Sequence, residues 1–238
     1  MKNKFNIVPN TPLFIVTSSL KPSIGVFDDQ QRFFQTINTF DSIRKKCPNS
    51  NILFVDASTR EISINDLNII SNNVDYFIKF DEKNNKDIIE LSRMGMKSQA
   101  ETLMLYTVMA QLKVNPTLQK LIYSTSRIFK MSGRMELNDG FNIKSYNDTF
   151  GKYVFRKRLP SWMNKPRISD YLFTTRLFSL CPSLIDNYME VLRKNFELLN
   201  YVDTEHAHFK NIPEEYLVEF HTVYCKGQVA STGNWEYD

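Results

Sequence analysis

The sequence predicts an α/β fold, a single unit with a mostly parallel central sheet flanked by helices. Three observations predict it. Short apolar runs rich in β-branched residues recur between turn formers, as strands buried on both faces do. Stretches with helical apolar spacing alternate with them. No internal repeat and no run rich in Gly, Ser or Pro divides the 238 residues, so 1–238 is read as one domain.

Each element follows in order. PLFIVTS, from Pro12 to Ser18, is the first strand, and the loop SLKPSIGVFDDQQ leaves it. Phe33, Ile37, Phe40, Ile43 and Cys47 make a helical stripe that Pro48 stops. NILFVDAS is a second strand and DYFIKF a third, with a polar helix or turn around Asn65 to Asn73 between them. From Asp87 to Leu112 the spacing is helical again, Leu105, Val108, Met109 and Leu112 falling on one face. RIFKM, Arg127 to Met131, is a fourth strand that ends at Ser132-Gly133, and YVFRKR and YLFTTRLFSL are two later ones. Ser183 is placed to cap a helix carrying Leu184, Tyr188, Val191, Leu192 and Leu199, with Asp186 near its positive end. The last stretch holds a short strand and a Gly-marked loop.

Composition narrows the function classes. With 42% hydrophobic and 13% aromatic residues the chain is not disordered, and 7 glycines exclude a collagenous or Gly-rich coil. The net charge of +4 is mildly basic, less than a dedicated nucleic-acid binder carries but ample for a phosphate-bearing small ligand. Cys47, Cys181 and Cys225 are far apart and form no CxxC pair, which supports neither a zinc knuckle nor a disulfide framework and points to a reducing compartment. The opening residues are too polar for a secretion signal and no apolar run reaches membrane-spanning length, so the expected location is cytoplasmic.

In open α/β sheets ligands sit at the carboxyl ends of strands, so the residues just beyond each strand are the ones to read. After the first strand, Thr17, Ser18 and Ser19 either line a nucleotide pocket or close the strand in a turn. Asp56, after the second, either accepts from a ribose or base edge or caps the next segment. Lys97 and Glu101 are spaced i, i+4; Lys97 is the obvious partner for Glu101, or else a phosphate contact. The fourth strand delivers Lys130, then Ser132, Gly133 and Arg134. Glycine permits close backbone approach there, and Arg134 can grip a diphosphate bidentately. Asp139 follows in the turn LNDG. The segment DTEHAHFK packs Asp203, Glu205, His206 and His208 together, which suits metal ligation, acid/base work by Glu205 or Asp203, or plain helix capping. His221 is a core candidate. VFRKRLPSW sets Arg156, Lys157 and Arg158 beside Phe155 and Trp162, a mix that stacks on bases, faces an acceptor, or meets anionic lipid.

The order of FIVTSS, the helix QQRFFQTINTFDSIRKKCP with Arg32, ILFVDAS, GMKSQAETLMLY, RIFKMSGRMELND and DTEHAHFK resembles the GT-A-type glycosyltransferases of bacterial and viral surface-glycan biosynthesis. The resemblance spans most of the chain. It implies a single GT-A-like, Rossmann-like domain with a nucleotide-binding half at about 10–140 and an acceptor-side half at about 141–238. It implies transfer of a sugar from a nucleotide-sugar donor to a hydroxyl of a glycan or lipid-linked acceptor. Carried over, Thr17, Ser18, Asp56, Lys97, Lys130, Ser132 and Arg134 contact the donor, Glu205 or Asp203 is the base, and Asp139, His206 and Trp162 lie on the acceptor side. Such enzymes usually place Asp-x-Asp before the catalytic centre to hold Mn²⁺ or Mg²⁺, where this chain has Ser132-Gly133-Arg134. The expectation is therefore that no metal is required, with Mn²⁺ or Mg²⁺ held from Asp139 or the Asp203 cluster as the alternative. Two other function classes compete: a nucleic-acid- or protein-binding module, and a sugar nucleotidyltransferase, for which SSLKPSIGVFDD is a poor Gly-rich loop.

Overall fold

The computed structural model describes residues 11–163, 169–229 and 231–238. Strands and helices first alternate as the periodicities require: β1 (Thr11–Ser18), α1 (Asp29–Lys46), β2 (Asn51–Asp56), α2 (Ile64–Asn73) and β3 (Tyr76–Lys79). Three helices follow, α3 (Lys86–Arg93), α4 (Lys97–Val114) and α5 (Pro116–Ser124), before β4 (Thr125–Ser132) and β5 (Met135–Leu137). The remainder comprises β6 (Tyr153–Arg156), β7 (Leu159–Pro160), β8 (Tyr171–Leu172), β9 (Leu177–Leu180), α6 (Ile185–Leu198), α7 (Thr204–Asn211), β10 (Leu217–Phe220), β11 (Cys225–Gln228) and β12 (Trp235–Tyr237).

The central sheet runs β10-β6-β9-β4-β1-β2-β3. β4, β1, β2 and β3 are mutually parallel, β10 is parallel to β6, and β9 runs against both of its neighbours. Both faces are covered, which is why β1 reads as an unbroken apolar run. Leu13 and Ile15 meet Met104, Leu105, Val108 and Leu112 of α4 and Tyr188 of α6 in one core. Phe14 and Val16 turn to the other face, against Phe40 and Ile43 of α1, Phe54 and Phe129. A small β12-β11-β5 sheet adds to that second face.

Four local readings change. The helical stretch 87–112 is two helices, because Gly95 (φ +79°) closes α3 with paired bonds from Gly95 N–H to Ser92 and from Met96 N–H to Leu91. α5 was not expected, although Asn115 caps it and Pro116 opens it, both ordinary start signals. Ser183 does not cap α6; a 3₁₀ turn at Pro182–Leu184 leads into that helix and the Ser183 hydroxyl reaches Cys181 Sγ. YLFTTRLFSL divides into β8, which pairs with β7 in a ribbon, and β9, which enters the main sheet.

Candidate functional site

A cavity of about 240 Å³ opens at the carboxyl ends of β1 and β4. Thr17, Ser18 and Ser19 form one wall, Ser132, Gly133 and Arg134 the next, and the start of α4 contributes Lys97, Ala100, Glu101 and Met104. Arg32 of α1 and the loop after β1, with Pro22, Ile24 and Phe27, complete it. The two strand ends are locked in register: Thr17 lies opposite Ser132, and Gly133 N–H donates to the Thr17 carbonyl at 2.8 Å. A Cβ on Gly133 would sit 2.9 Å from Ser18 Cβ, so glycine is required there by the neighbouring strand.

Three cations converge on this space. Arg32 is buried and donates to Ser18 Oγ at 2.8 Å and Gln35 Oε1 at 2.9 Å. Burial and the nearby Arg134 bring its pKa down to about 9. Lys97 is the first residue of α4, whose N-terminus no side chain caps. Burial, then Arg134 and Arg32, lower its pKa too. Arg134 has no ion pair and no hydrogen-bond partner among the described residues, and its Nε is buried. Burial lowers its pKa, Glu101 and Glu205 acting against that and Arg176 with it. A guanidinium held without a partner in a cavity, beside two further cations and a helix N-terminus, is a place for a multiply charged anion.

Two carboxylates adjoin the cations. Glu101 pairs not with Lys97 but with Lys130 Nζ, at 2.6 Å, and accepts from the Thr17 hydroxyl at 3.2 Å. Burial alone would raise its pKa; Lys130, Arg134 and Thr17 outweigh burial and hold the carboxyl below its usual range. Glu205, on the first turn of α7, accepts from the Thr175 hydroxyl at 3.1 Å. Its pKa is raised, by burial first and by Asp203 second.

The other expected residues are placed elsewhere. Lys130 is 1% exposed and lies behind the wall, donating to Glu101 and to the Thr175 carbonyl at 2.8 Å; as a direct ligand contact it is corrected to the residue that fixes Glu101. Asp56 is fully buried, accepting from Leu20 N–H, Ser58 N–H and Ser58 Oγ, so it ties two loops together behind the cavity. Asp139 is exposed and pairs with Lys46 at the far end of α1. That end is 14 residues, about 21 Å of helix, from Arg32. Asp203 caps α7 and holds His206 Nδ1 at 2.6 Å, while His206 Nε2 meets Ser161 Oγ at 2.7 Å. Trp162 is exposed and stands edge-on to His206. His208 is buried against the Tyr188 hydroxyl and the Thr204 carbonyl, and His221 is exposed rather than core. Arg156 pairs with Asp238, and Arg158 with Glu219 and Glu214, which leaves the basic stretch largely neutralised.

Arg32 and Thr175 were not expected at a site. The face that α1 buries is Arg32, Thr36, Thr39, Phe40 and Ile43, one position off the stripe read through Phe33 and Ile37. A charged residue on a buried face needs a reason. The donor set does not suit a divalent metal. Among the described residues no group of three His, Cys, Asp or Glu is placed to hold one, and the strand end bears Arg134 in place of carboxylates. Also among the described residues, no helix is long and apolar enough to cross a membrane.

No protein-family model matches the chain, and no curated protein matches it in sequence. Solved structures do. The mannosyltransferase Ktr4p from S. cerevisiae aligns with a TM-score of 0.53 at 9% identity, over 90% of this chain and 72% of that one. The galactosyltransferase LgtC, in complex with donor and acceptor sugar analogues, aligns at 0.51 and 9%, over 87% and 72%. Core-mannan synthase A from Aspergillus fumigatus, in a Mn/GDP form, aligns at 0.50 and 8%, over 92% and 76%. The chain therefore has the GT-A-type α/β fold.

Proposed function

We propose that the chain is a glycosyltransferase that moves a sugar from a nucleotide-sugar donor to a hydroxyl of a glycan or lipid-linked acceptor. One observation carries the reading: Arg32, Lys97 and the unpartnered Arg134 converge on a cavity at the strand ends of a GT-A-type sheet. The neighbour structures with GDP, and with donor and acceptor sugar analogues, support a nucleotide-sugar ligand.

In this reading the cavity takes the donor, and every residue that lines it comes from the first 134. The acceptor approaches from the side of Glu205. Its hydroxyl gives its proton to a Glu205 oxygen as the hydroxyl oxygen bonds to the anomeric carbon. The bond from that carbon to the phosphate oxygen breaks, and its electron pair leaves with the nucleoside diphosphate. Arg134, Lys97 and Arg32 face the charge that grows there, where fixed cations lower the barrier most. A carboxylate whose pKa is raised by burial is a stronger base than an exposed one, which favours Glu205 over Asp203, already engaged with His206.

Turnover of a panel of nucleotide sugars, by transfer or by hydrolysis, tests the reading. Glu205→Gln should lower turnover about 10²- to 10⁴-fold with donor affinity unchanged. A folded protein that binds and turns over no nucleotide sugar would remove the transferase assignment.

A further inference from the structure

Resting on the transferase reading, we infer that the Arg134 guanidinium takes the place and the charge-balancing work of a divalent cation, so that the donor diphosphate binds and leaves without a metal. A divalent ion at the end of β4 needs oxygen donors free to turn towards it. Among the described residues no three His, Cys, Asp or Glu side chains gather to hold an ion, and each nearby carboxylate already has one oxygen bonded within the protein. Glu101 holds Lys130 at 2.6 Å and Thr17 at 3.2 Å, Glu205 holds Thr175 at 3.1 Å, and Asp203 holds His206 at 2.6 Å. A dication there would also share the cavity with the cations Arg32, Lys97 and Arg134.

Arg134 is the group left over. Its position is fixed by the close approach of Gly133 to Ser18 and by Ser132 N–H donating to the Arg176 carbonyl at 2.8 Å. A planar guanidinium offers two parallel N–H donors to a phosphate, matching the bidentate grip a metal would give two phosphate oxygens. Lys97 supplies a second charge from the uncapped start of α4, and Arg32 a third, braced by Ser18 and Gln35.

The test is calorimetric titration of the full chain with UDP and GDP, each in EDTA and in Mn²⁺, repeated with Arg134→Met. Equal affinity in the two media, with a roughly 10- to 100-fold loss in Arg134→Met, supports the inference, since hydrogen bonds to charged groups are of that size. Binding that needs Mn²⁺ overturns it and leaves the transferase reading standing. Unchanged affinity of Arg134→Met in EDTA also overturns it. Silence in both media fails the reading on which it rests. The comparison of EDTA with Mn²⁺ uses the wild-type protein alone, so it decides even if the variant does not fold.

Discussion

Lys130 and Glu101 give the sharpest energetic test of how the cavity wall is built. Lys130 is 1% exposed and stands 2.6 Å from Glu101, whose own side chain keeps 31% exposure. The two halves of the pair are therefore unequal. Glu101→Gln strands an ammonium inside the protein with the Thr175 carbonyl as its main acceptor, and breaking a buried pair in that way costs about 3–5 kcal/mol. Lys130→Met strands a carboxylate that still reaches solvent and still accepts from Thr17, so the cost falls to about half of that, roughly 2 kcal/mol. The double variant removes both charges and should be more stable than the sum of the singles by about 1–3 kcal/mol. Urea unfolding of the four proteins, extrapolated linearly, measures all three quantities. Glu101→Gln proving milder than Lys130→Met, or additivity to within about 0.5 kcal/mol, would refute the placement of Lys130 as a buried anchor.

Three further outcomes are expected. His208 is buried with Nδ1 donating to the Thr204 carbonyl at 2.8 Å and Nε2 facing the Tyr188 hydroxyl at 3.1 Å, and burial lowers its pKa from 6.5 to about 4. The unfolded chain then takes up the proton first, so this stability is complete above pH 6.5 and declines towards pH 4, by up to about 3 kcal/mol. His208→Gln should flatten that decline in pH-dependent unfolding, and an unaltered slope would assign it to other groups. Gly133→Ala should cost about 1–3 kcal/mol because its methyl meets Ser18 Cβ at 2.9 Å, lowering the melting temperature by roughly 2–12 °C; an unchanged melting curve would show that the strands can part freely. Arg32→Gln should weaken pyrophosphate affinity near neutral pH by about 10-fold in calorimetric titration, and an unchanged affinity would take Arg32 out of the anion site.

Much of the strand-end architecture was legible because β-branched apolar runs and the glycine after RIFKM mark where strands stop. Thr17, Ser18, Ser132 and Arg134 meet at one cavity for that reason, and Lys97 joins them because α4 begins at that end. Position along the chain puts Lys130 at the strand end, whereas period two puts it on the face of Ile128, under α4, where it meets Glu101. Asp139 follows the same strand by a few residues, but β5 carries the chain back towards the far end of α1 before the turn. Arg32 was passed over because apolar spacing alone defines a stripe through Phe33, and the long-range pairing that buries Arg32 leaves no local trace. Glu101 was given the neighbour four residues away, the partner that helix spacing suggests, whereas the sheet supplied a closer one.

A crystal structure of the chain with a bound nucleoside diphosphate decides whether the cationic cavity is the diphosphate site. Phosphate oxygens should lie within hydrogen-bond distance of Arg134 and Lys97, between the ends of β1 and β4. Phosphates seated instead in a separate cavity at the amino ends of those strands, beside Pro12, Thr125 and Arg127, would rule that out.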